Sequence, residues 1–168
     1  MSDRSGTATA SRAERKERTR RALVDGTLAT IEDRSFASVS LREVTRAAGI
    51  VPTAFYRHFA SMDDLGVAVV EDSMRTLRRV LRDARRHPSA ENARESLGLL
   101  VGQIRDHDVQ FRFLLRERNG GVPEVRRAIA TELRLIVHEL VQDLERIPAL
   151  EQWPTDHLDM VATLIVNT

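Results

Sequence analysis

Cysteine is absent from this 168-residue sequence, and aromatic side chains make up only 4% of it. Without cysteine the chain has neither disulfide bonds nor thiolate metal ligands. No apolar run approaches the roughly 18 residues that would predict a membrane span. The Ser/Thr-rich start, residues 1–10, lacks the apolar segment of a secretory signal. We therefore expect a cytoplasmic protein in which residues 1–11 form a disordered tail.

Strand patterns and catalytic motifs are missing as well. No stretch alternates apolar and polar residues, no internal repeat occurs, and the helix formers Leu, Ala, Arg and Glu are abundant. The sequence contains no glycine-rich phosphate loop, no nucleophile elbow and no carboxylate pair at catalytic spacing. We expect an all-α protein that is not an enzyme and has no catalytic residues.

The formal net charge of +1 hides an asymmetry along the chain. Residues 1–60 carry 11 basic and 7 acidic side chains, whereas residues 61–168 carry 15 basic and 18 acidic ones. A basic front end on an otherwise acidic chain is the pattern expected if only the first part meets phosphates.

Capping signals and apolar periodicity predict a series of helices. Ser11 with Glu14, and Ser40 with Glu43, have capping-box spacing, and Gly49 can adopt the positive φ that closes a short helix. The predicted helices cover residues 12–33, 41–48, 52–59, 61–86 and 109–118, and others begin near 89, 123 and 155. We expect a head at residues 12–60, joined by the long fourth helix to a ligand-binding and dimerisation body at residues 61–168.

Apolar stripes predict which helix faces turn inward. The residues predicted to face inward are Val24, Thr27, Leu28 and Ile31 on the first helix, Val70, Met74, Leu77 and Leu81 on the fourth, Leu97, Leu100, Val101 and Ile104 on the fifth, and Ile129, Leu133, Ile136, Val137, Leu140, Val141 and Leu144 on the helix from Pro123.

Two short helices around Gly49 have the layout of a helix-turn-helix. Phe55 and Phe59 lie one turn apart and should both face the core, so Thr53 and Arg57 should point outward. Such a small, polar and basic face fits a DNA major groove, where Thr53 and Arg57 could bond bases or phosphates. An ordinary helical hairpin with a solvated face would show the same spacing.

The segment Ser40–Phe59, SLREVTRAAGIVPTAFYRHF, resembles the DNA-binding signature of the TetR family of transcription regulators, and the match extends over about Arg15 to Asp72. The resemblance implies a transcriptional repressor that binds a palindromic operator as a homodimer. It places bases near Thr53 and Ala54, and the DNA backbone near Ser40, Thr45, Tyr56 and His58. The basic run before Arg21, next to a helix-turn-helix, adds Arg18 and Thr19 as phosphate contacts. The predicted DNA-binding residues are Arg18, Thr19, Ser40, Arg42, Thr45, Thr53, Ala54, Tyr56, Arg57 and His58. Met62 stands where the family usually has lysine, which removes one phosphate contact.

The later segment Phe111–Gly120, FRFLLRERNG, together with Asp-Asp-Leu-Gly at 63–66, resembles the TetR subgroup that represses unsaturated fatty-acid synthesis genes and senses acyl-CoA. This resemblance implies a long-chain acyl-CoA effector, with apolar walls for the chain and arginines for the head group. The predicted ligand-binding residues are Met74, Leu100, Ile104, Phe111, Phe113, Leu114, Arg116 and Arg118. Core packing and a solvated face explain any one of these residues equally well.

Other interpretations stay open from the sequence alone. A TetR-type regulator of efflux or other metabolism would bind a different small-molecule inducer. A helical protein-interaction module that no longer binds DNA is supported by Met62 only. Asp106, His107 and Asp108 are too few ligands for a metal site, and His138 on an apolar helix is more often structural. We expect neither a metal nor a cofactor.

The apolar stretch Met160–Val166 reaches the end of the sequence without a helix stop signal. The helix would normally continue, and TetR-type proteins dimerise through their last helices. We therefore expect this chain to be an incomplete version of a protein roughly 30 to 50 residues longer, with Leu158, Val161, Ala162, Leu164 and Ile165 at the start of a dimer interface.

Overall fold

A computed structural model describes residues 5–85 and 93–167, with side chains for 11–83, 98 and 101–167. The helices are α1 (Ser5–Thr30), α2 (Leu41–Ala47), α3 (Pro52–Phe55), α4 (Met62–Arg85), α5 (Ala93–Asp106), α6 (Asp108–Glu117), α7 (Pro123–Leu144) and α8 (Thr155–Asn167), with 3-10 turns at Phe36–Ser38 and Pro148–Leu150. These ranges contain no strand, which confirms the all-α prediction. None of the described helices is long and apolar enough to cross a membrane.

Helix α1 begins earlier than predicted. It starts at Ser5, so Ser11 lies inside the helix and the capping box predicted for Ser11 and Glu14 is wrong. Alanines and the absence of proline before Ser11 allow the helix to continue upstream. The structure therefore places residues 5–11, predicted as a tail, within α1, while residues 1–4 lie outside the described residues.

The two ends of α2 confirm two sequence predictions. Ser40 caps α2 by accepting from the Glu43 backbone N–H, and the Glu43 carboxylate accepts from the Ser40 backbone N–H at 2.8 Å. The Ser40 hydroxyl also donates to the Glu43 carboxylate; this bond, the bond from the Ser40 N–H and a bond from Arg34 lower the pKa of Glu43 to about 2. Gly49 has φ +68°, the left-handed conformation predicted for the end of this helix.

Helix α3 is shorter than the predicted range of residues 52–59. Pro52 occupies its first turn, but the helix ends at Phe55 and residues 56–58 form a turn. The backbone N–H of Arg57 donates to Ala54 O, and that of His58 donates to Phe55 O. Each bond joins residues three apart, as in a 3-10 turn, and not four apart as in an α-helix.

The inward faces are as predicted on α1 but not on α5. Val24, Thr27, Leu28 and Ile31 are all buried, and so are Val70 and Met74 on α4. On α5, Val101 and Ile104 are about 40% exposed, so the prediction that they face inward is wrong. Periodicity identifies this face as apolar, but the described neighbours leave these two side chains partly open to solvent. The side chains of Leu97 and Leu100 lie outside the described residues.

Helix α6 fastens the connection between α1 and α2. Arg116 donates from Nη1 to the carbonyl oxygens of Ile31 (2.7 Å) and Arg34 (2.8 Å), and from Nη2 to Glu32 O at 3.2 Å. The adjacent Glu117 is 1% exposed, and its Oε1 accepts from the Phe36 backbone N–H at 2.9 Å. These four hydrogen bonds, which we call the α6 clamp, satisfy backbone groups where α1 ends.

Compact packing divides the chain after Arg126 and not at the predicted head–body boundary of residue 60. The first unit contains α1 to α6, because α4 packs on α1 and α6 packs on both. In the second unit, α7 and α8 bury Val141, Leu158 and Ala162 together. Division into a DNA-binding head and a ligand-binding body therefore stays a prediction about function.

A close approach at Gly66 of α4 gives a stability prediction. A Cβ at Gly66 would lie 2.7 Å from ring atom Cε1 of Phe36 and from Val125 Cγ2, and the Phe36 ring is 2% exposed and cannot move freely. Gly66→Ala should therefore lower the free energy of unfolding by about 1–3 kcal/mol. In Gly102→Ala the new Cβ meets no atom within 4 Å, so helix propensity should raise stability by roughly 0.5–1 kcal/mol. Chemical denaturation of both variants checks the pair, and equal effects would contradict this packing.

Candidate nucleic-acid interface

The outward face of α3 and the turn after it carry polar and basic side chains. Phe55 and Phe59 are at most 1% exposed, with ring centroids 5.8 Å apart, as predicted. Their burial leaves Thr53, Tyr56 and Arg57 exposed on the opposite side. The face therefore offers two hydroxyl groups and one guanidinium, which suit base edges and phosphate oxygens.

Tyr56 combines exposure with a fixed ring. Its side chain is 66% exposed, and its ring meets the ring of Phe55 edge-on at 5.4 Å and 87°. Because Phe55 is buried in the core, this contact restrains the Tyr56 ring at the surface. A restrained phenol can donate to a phosphate at a low cost in side-chain entropy.

Arg20 is a positioning residue that the sequence did not reveal. Its Nη1 donates to the carbonyl oxygen of His58 at 3.3 Å, and its guanidinium lies 4.4 Å from the Phe59 ring centroid. Both contacts join α1 to the end of the α3 turn. Within a basic run, Arg20 has no local feature that separates it from solvated or phosphate-binding neighbours, because its partners lie 38 and 39 residues away.

His58 lies within a group of cations. Desolvation lowers its pKa below the ordinary value of 6.5, and the positive charges of Lys16, Arg20 and Arg57 lower it further. Its Nδ1 is buried and makes no hydrogen bond within the described part of the chain. At neutral pH the imidazole is therefore uncharged, while the surrounding cations give this edge of the face a positive potential.

The other predicted DNA-contact residues differ in how accessible their side chains are. Arg18 and Arg42 are exposed and can reach a phosphate, and Ala54 is half-buried beside Thr53. Thr45 is 1% exposed and its hydroxyl donates to Leu41 O at 2.8 Å, which argues against its predicted phosphate contact.

The hydroxyls of Thr19 and Ser40 also have partners already. Thr19 donates to Arg15 O at 2.9 Å, and the Ser40 hydroxyl donates to the Glu43 carboxylate at 2.7 Å. Each would have to exchange that bond for one to a phosphate. Threonine and serine side chains on helices commonly satisfy nearby backbone or capping groups, and the sequence pattern could not distinguish that role from DNA contact.

The structure places the predicted ligand residues in different surroundings. Arg116 belongs to the α6 clamp, so its predicted role as a head-group ligand is corrected to a structural one. Met74, Phe113 and Leu114 are buried in the core, whereas Ile104 is 41% exposed. Phe111 and Arg118 are half-buried, and the side chain of Leu100 lies outside the described residues. Among the described residues, no group of three or more His, Asp or Glu side chains could hold a metal ion.

Comparison with known proteins agrees with this geometry. Residues 23–69 match the family model of bacterial regulatory proteins, tetR family. The fold is similar to NemR of E. coli in its reduced form, with TM-score 0.61, 18% identity, and coverage of 89% of this chain and 84% of that one. It is also similar to the multidrug binding protein EbrR complexed with imidazole, with TM-score 0.55, 20% identity, and coverage of 87% and 88%. At these identities the two structures establish the fold alone.

Variants that each remove one hydroxyl should distinguish an effect on DNA affinity from an effect on stability. We predict that Tyr56→Phe and Thr53→Val each weaken binding to the proposed DNA site about 2- to 12-fold, because each loses one hydrogen bond worth about 0.5–1.5 kcal/mol. Both side chains are exposed, so the melting temperature should not change. Thr131→Val on α7 is the matched control and should alter neither quantity. Unchanged DNA affinity in both head variants would contradict the assigned face.

The pH dependence of DNA binding should report on His58. The negative charge of a bound phosphate would offset the neighbouring cations and raise the pKa of His58 in the complex. DNA binding would then take up a proton, so affinity should rise as the pH falls below about 6.5. Stability should change in the opposite direction, because the unfolded chain binds the proton more readily than the free folded chain. Fluorescence anisotropy between pH 7.5 and 6.0 measures the first effect.

In His58→Gln both pH dependences should be reduced. An affinity that rises equally in the variant would assign the effect to another group. A wild-type affinity independent of pH would show that no phosphate approaches His58.

Proposed function

We propose that this chain is a DNA-binding regulator of the TetR type and a ligand-responsive repressor that binds a palindromic operator as a homodimer; the match of residues 23–69 to the tetR family model supports this proposal. The observation that carries the proposal is the exposed face of Thr53, Tyr56 and Arg57, which is held from behind by buried Phe55 and Phe59. Such a face can read base edges while the neighbouring cations bind phosphates.

Homodimerisation would place two such faces on one duplex. Recognition helices of a two-fold dimer enter successive major grooves about 34 Å apart, which is why operators of such proteins are near-palindromic. The exposed apolar side chains of α8 support self-association, with Met160, Leu164 and Ile165 each 56–61% exposed.

The α6 clamp supplies a physical route from a bound ligand to the DNA-binding head. Arg116 and Glu117 bond directly to the backbone between α1 and α2, so a displacement of α6 must either move that backbone or break these hydrogen bonds. A ligand regulates DNA binding by this route only if it prefers one position of α6 over another.

For the effector we propose a long-chain acyl-CoA and a role in controlling unsaturated fatty-acid genes. The support is the resemblance of Phe111–Gly120 to the acyl-CoA-sensing subgroup; the buried aromatic Phe113 is compatible with it. Arg116 is not part of this proposal, because it is engaged by the head backbone.

The operator is tested by selecting bound duplexes from a random library, followed by footprinting. Two inverted half-sites about 10 base pairs apart, centre to centre, are expected. Recovery of no preferred sequence, or of one unpaired half-site by a monomer, would contradict the dimeric repressor.

The effector is tested on that operator complex. Long-chain acyl-CoA should change operator affinity at least tenfold and raise the melting temperature of the free chain, whereas a hydrophobic cation should do neither. A response to the hydrophobic cation and not to acyl-CoA would show that the effector is a drug-like inducer. That result would leave the proposed DNA-binding function unaffected.

A further inference from the structure

A charged groove lies between α1 and α4, outside the DNA-binding face. Its volume is about 550 Å³, and it is lined by Arg21 of α1 with Asp72, Arg75, Arg78, Arg79, Arg82 and Asp83 of α4. The α4 arginines are three or four residues apart, which places them along one face of the helix. The described lining contains no apolar residue.

Asp72 holds two of these arginines in place. Its side chain is 7% exposed, and its Oδ1 accepts from Arg21 Nη1 and from Arg75 Nη2, both at 2.9 Å. Arg21 also pairs with Asp25 at 3.2 Å. Each of these guanidinium groups keeps further N–H donors, because arginine has five. The carboxylate thus orients donors around the groove.

The carboxylates do not neutralise the groove. Five guanidinium groups line it together with two carboxylates, and even with Asp25, which pairs with Arg21 from outside the lining, cations outnumber carboxylates by five to three. A structural ion-pair network gains most when charges of the two signs balance, since like charges repel each other. Arg79 makes one 3.5 Å bond to Thr76 Oγ1, and no ion pair within the described part of the chain engages Arg82. The excess of positive charge favours an anion.

We propose that this groove binds a small organic anion carrying two or more phosphate groups. Its volume is that of a small-molecule site, and planar guanidinium groups match phosphate oxygens in pairs. Operator DNA is the less suitable occupant. The α4 residues of the groove lie about 15 to 30 Å along the helix from Met62, which is the end nearest the α3 turn. The proposal does not depend on the identity of the effector proposed above.

Calorimetry on the full chain with ADP, adenosine and inorganic pyrophosphate tests the proposal. ADP and pyrophosphate should bind, and adenosine should not. The double variant Arg79→Gln, Arg82→Gln should weaken ADP binding at least tenfold, and Arg82→Gln alone should weaken it by a smaller factor. The charge-matched control Arg105→Gln, Arg134→Gln changes two exposed arginines outside the groove and should bind ADP within twofold of the unaltered chain.

Several outcomes would overturn the site. Failure of both phosphate probes to bind, or equal binding of ADP and adenosine, excludes phosphate recognition. Equal losses in the two double variants would assign binding to overall charge. If the groove variant keeps ADP binding and loses duplex DNA affinity instead, the surface belongs to the DNA interface.

Discussion

Four hydrogen bonds made by two neighbouring side chains of α6 fix the backbone between α1 and α2, from which the candidate DNA-binding helices start. Arg116 donates to carbonyl oxygens just after α1, where the helix dipole is negative. Glu117 accepts a hydrogen bond from the N–H of Phe36 in the following 3-10 turn. Leaving such a buried N–H without an acceptor costs about 1–3 kcal/mol. The position of Phe36, whose ring packs beside Gly66 of α4, follows from this clamp. Helices α2 and α3 therefore start from a backbone that α6 holds in place.

Around α3, one side of the chain packs in the core and the opposite side presents polar and charged groups to solvent. Phe55 and Phe59 fill the core, and the guanidinium of Arg20 covers Phe59 while bonding the carbonyl of His58. Desolvation, and then the positive charges of Lys16, Arg20 and Arg57, lower the pKa of His58, and the same charges give this segment a positive potential. Packing, hydrogen bonding and electrostatics thus act together on the segment that carries Tyr56, Arg57 and His58.

Features that depend on near neighbours could be predicted from the sequence, and features that depend on distant ones could not. The Ser40–Glu43 capping box acts over a separation of three positions and the positive φ of Gly49 belongs to one residue, so local residue types suffice to predict both. The roles of Arg20 and Arg116 depend on partners 38 to 85 residues away. Thr45 was assigned to phosphate by resemblance, but its hydroxyl bonds within α2. Ile104 shows the limit of periodicity, because an apolar stripe does not specify whether another helix covers it.

Salt dependence tests the central claim most directly, namely that the face after Gly49 binds duplex DNA through phosphates. Operator affinity should fall linearly on a plot of its logarithm against the logarithm of salt concentration, with a slope of about −0.9 for each phosphate contact. Arg57→Gln should make that slope shallower by about one contact while the melting temperature stays unchanged. Affinity that does not depend on salt, or a slope identical in the variant, would contradict the account.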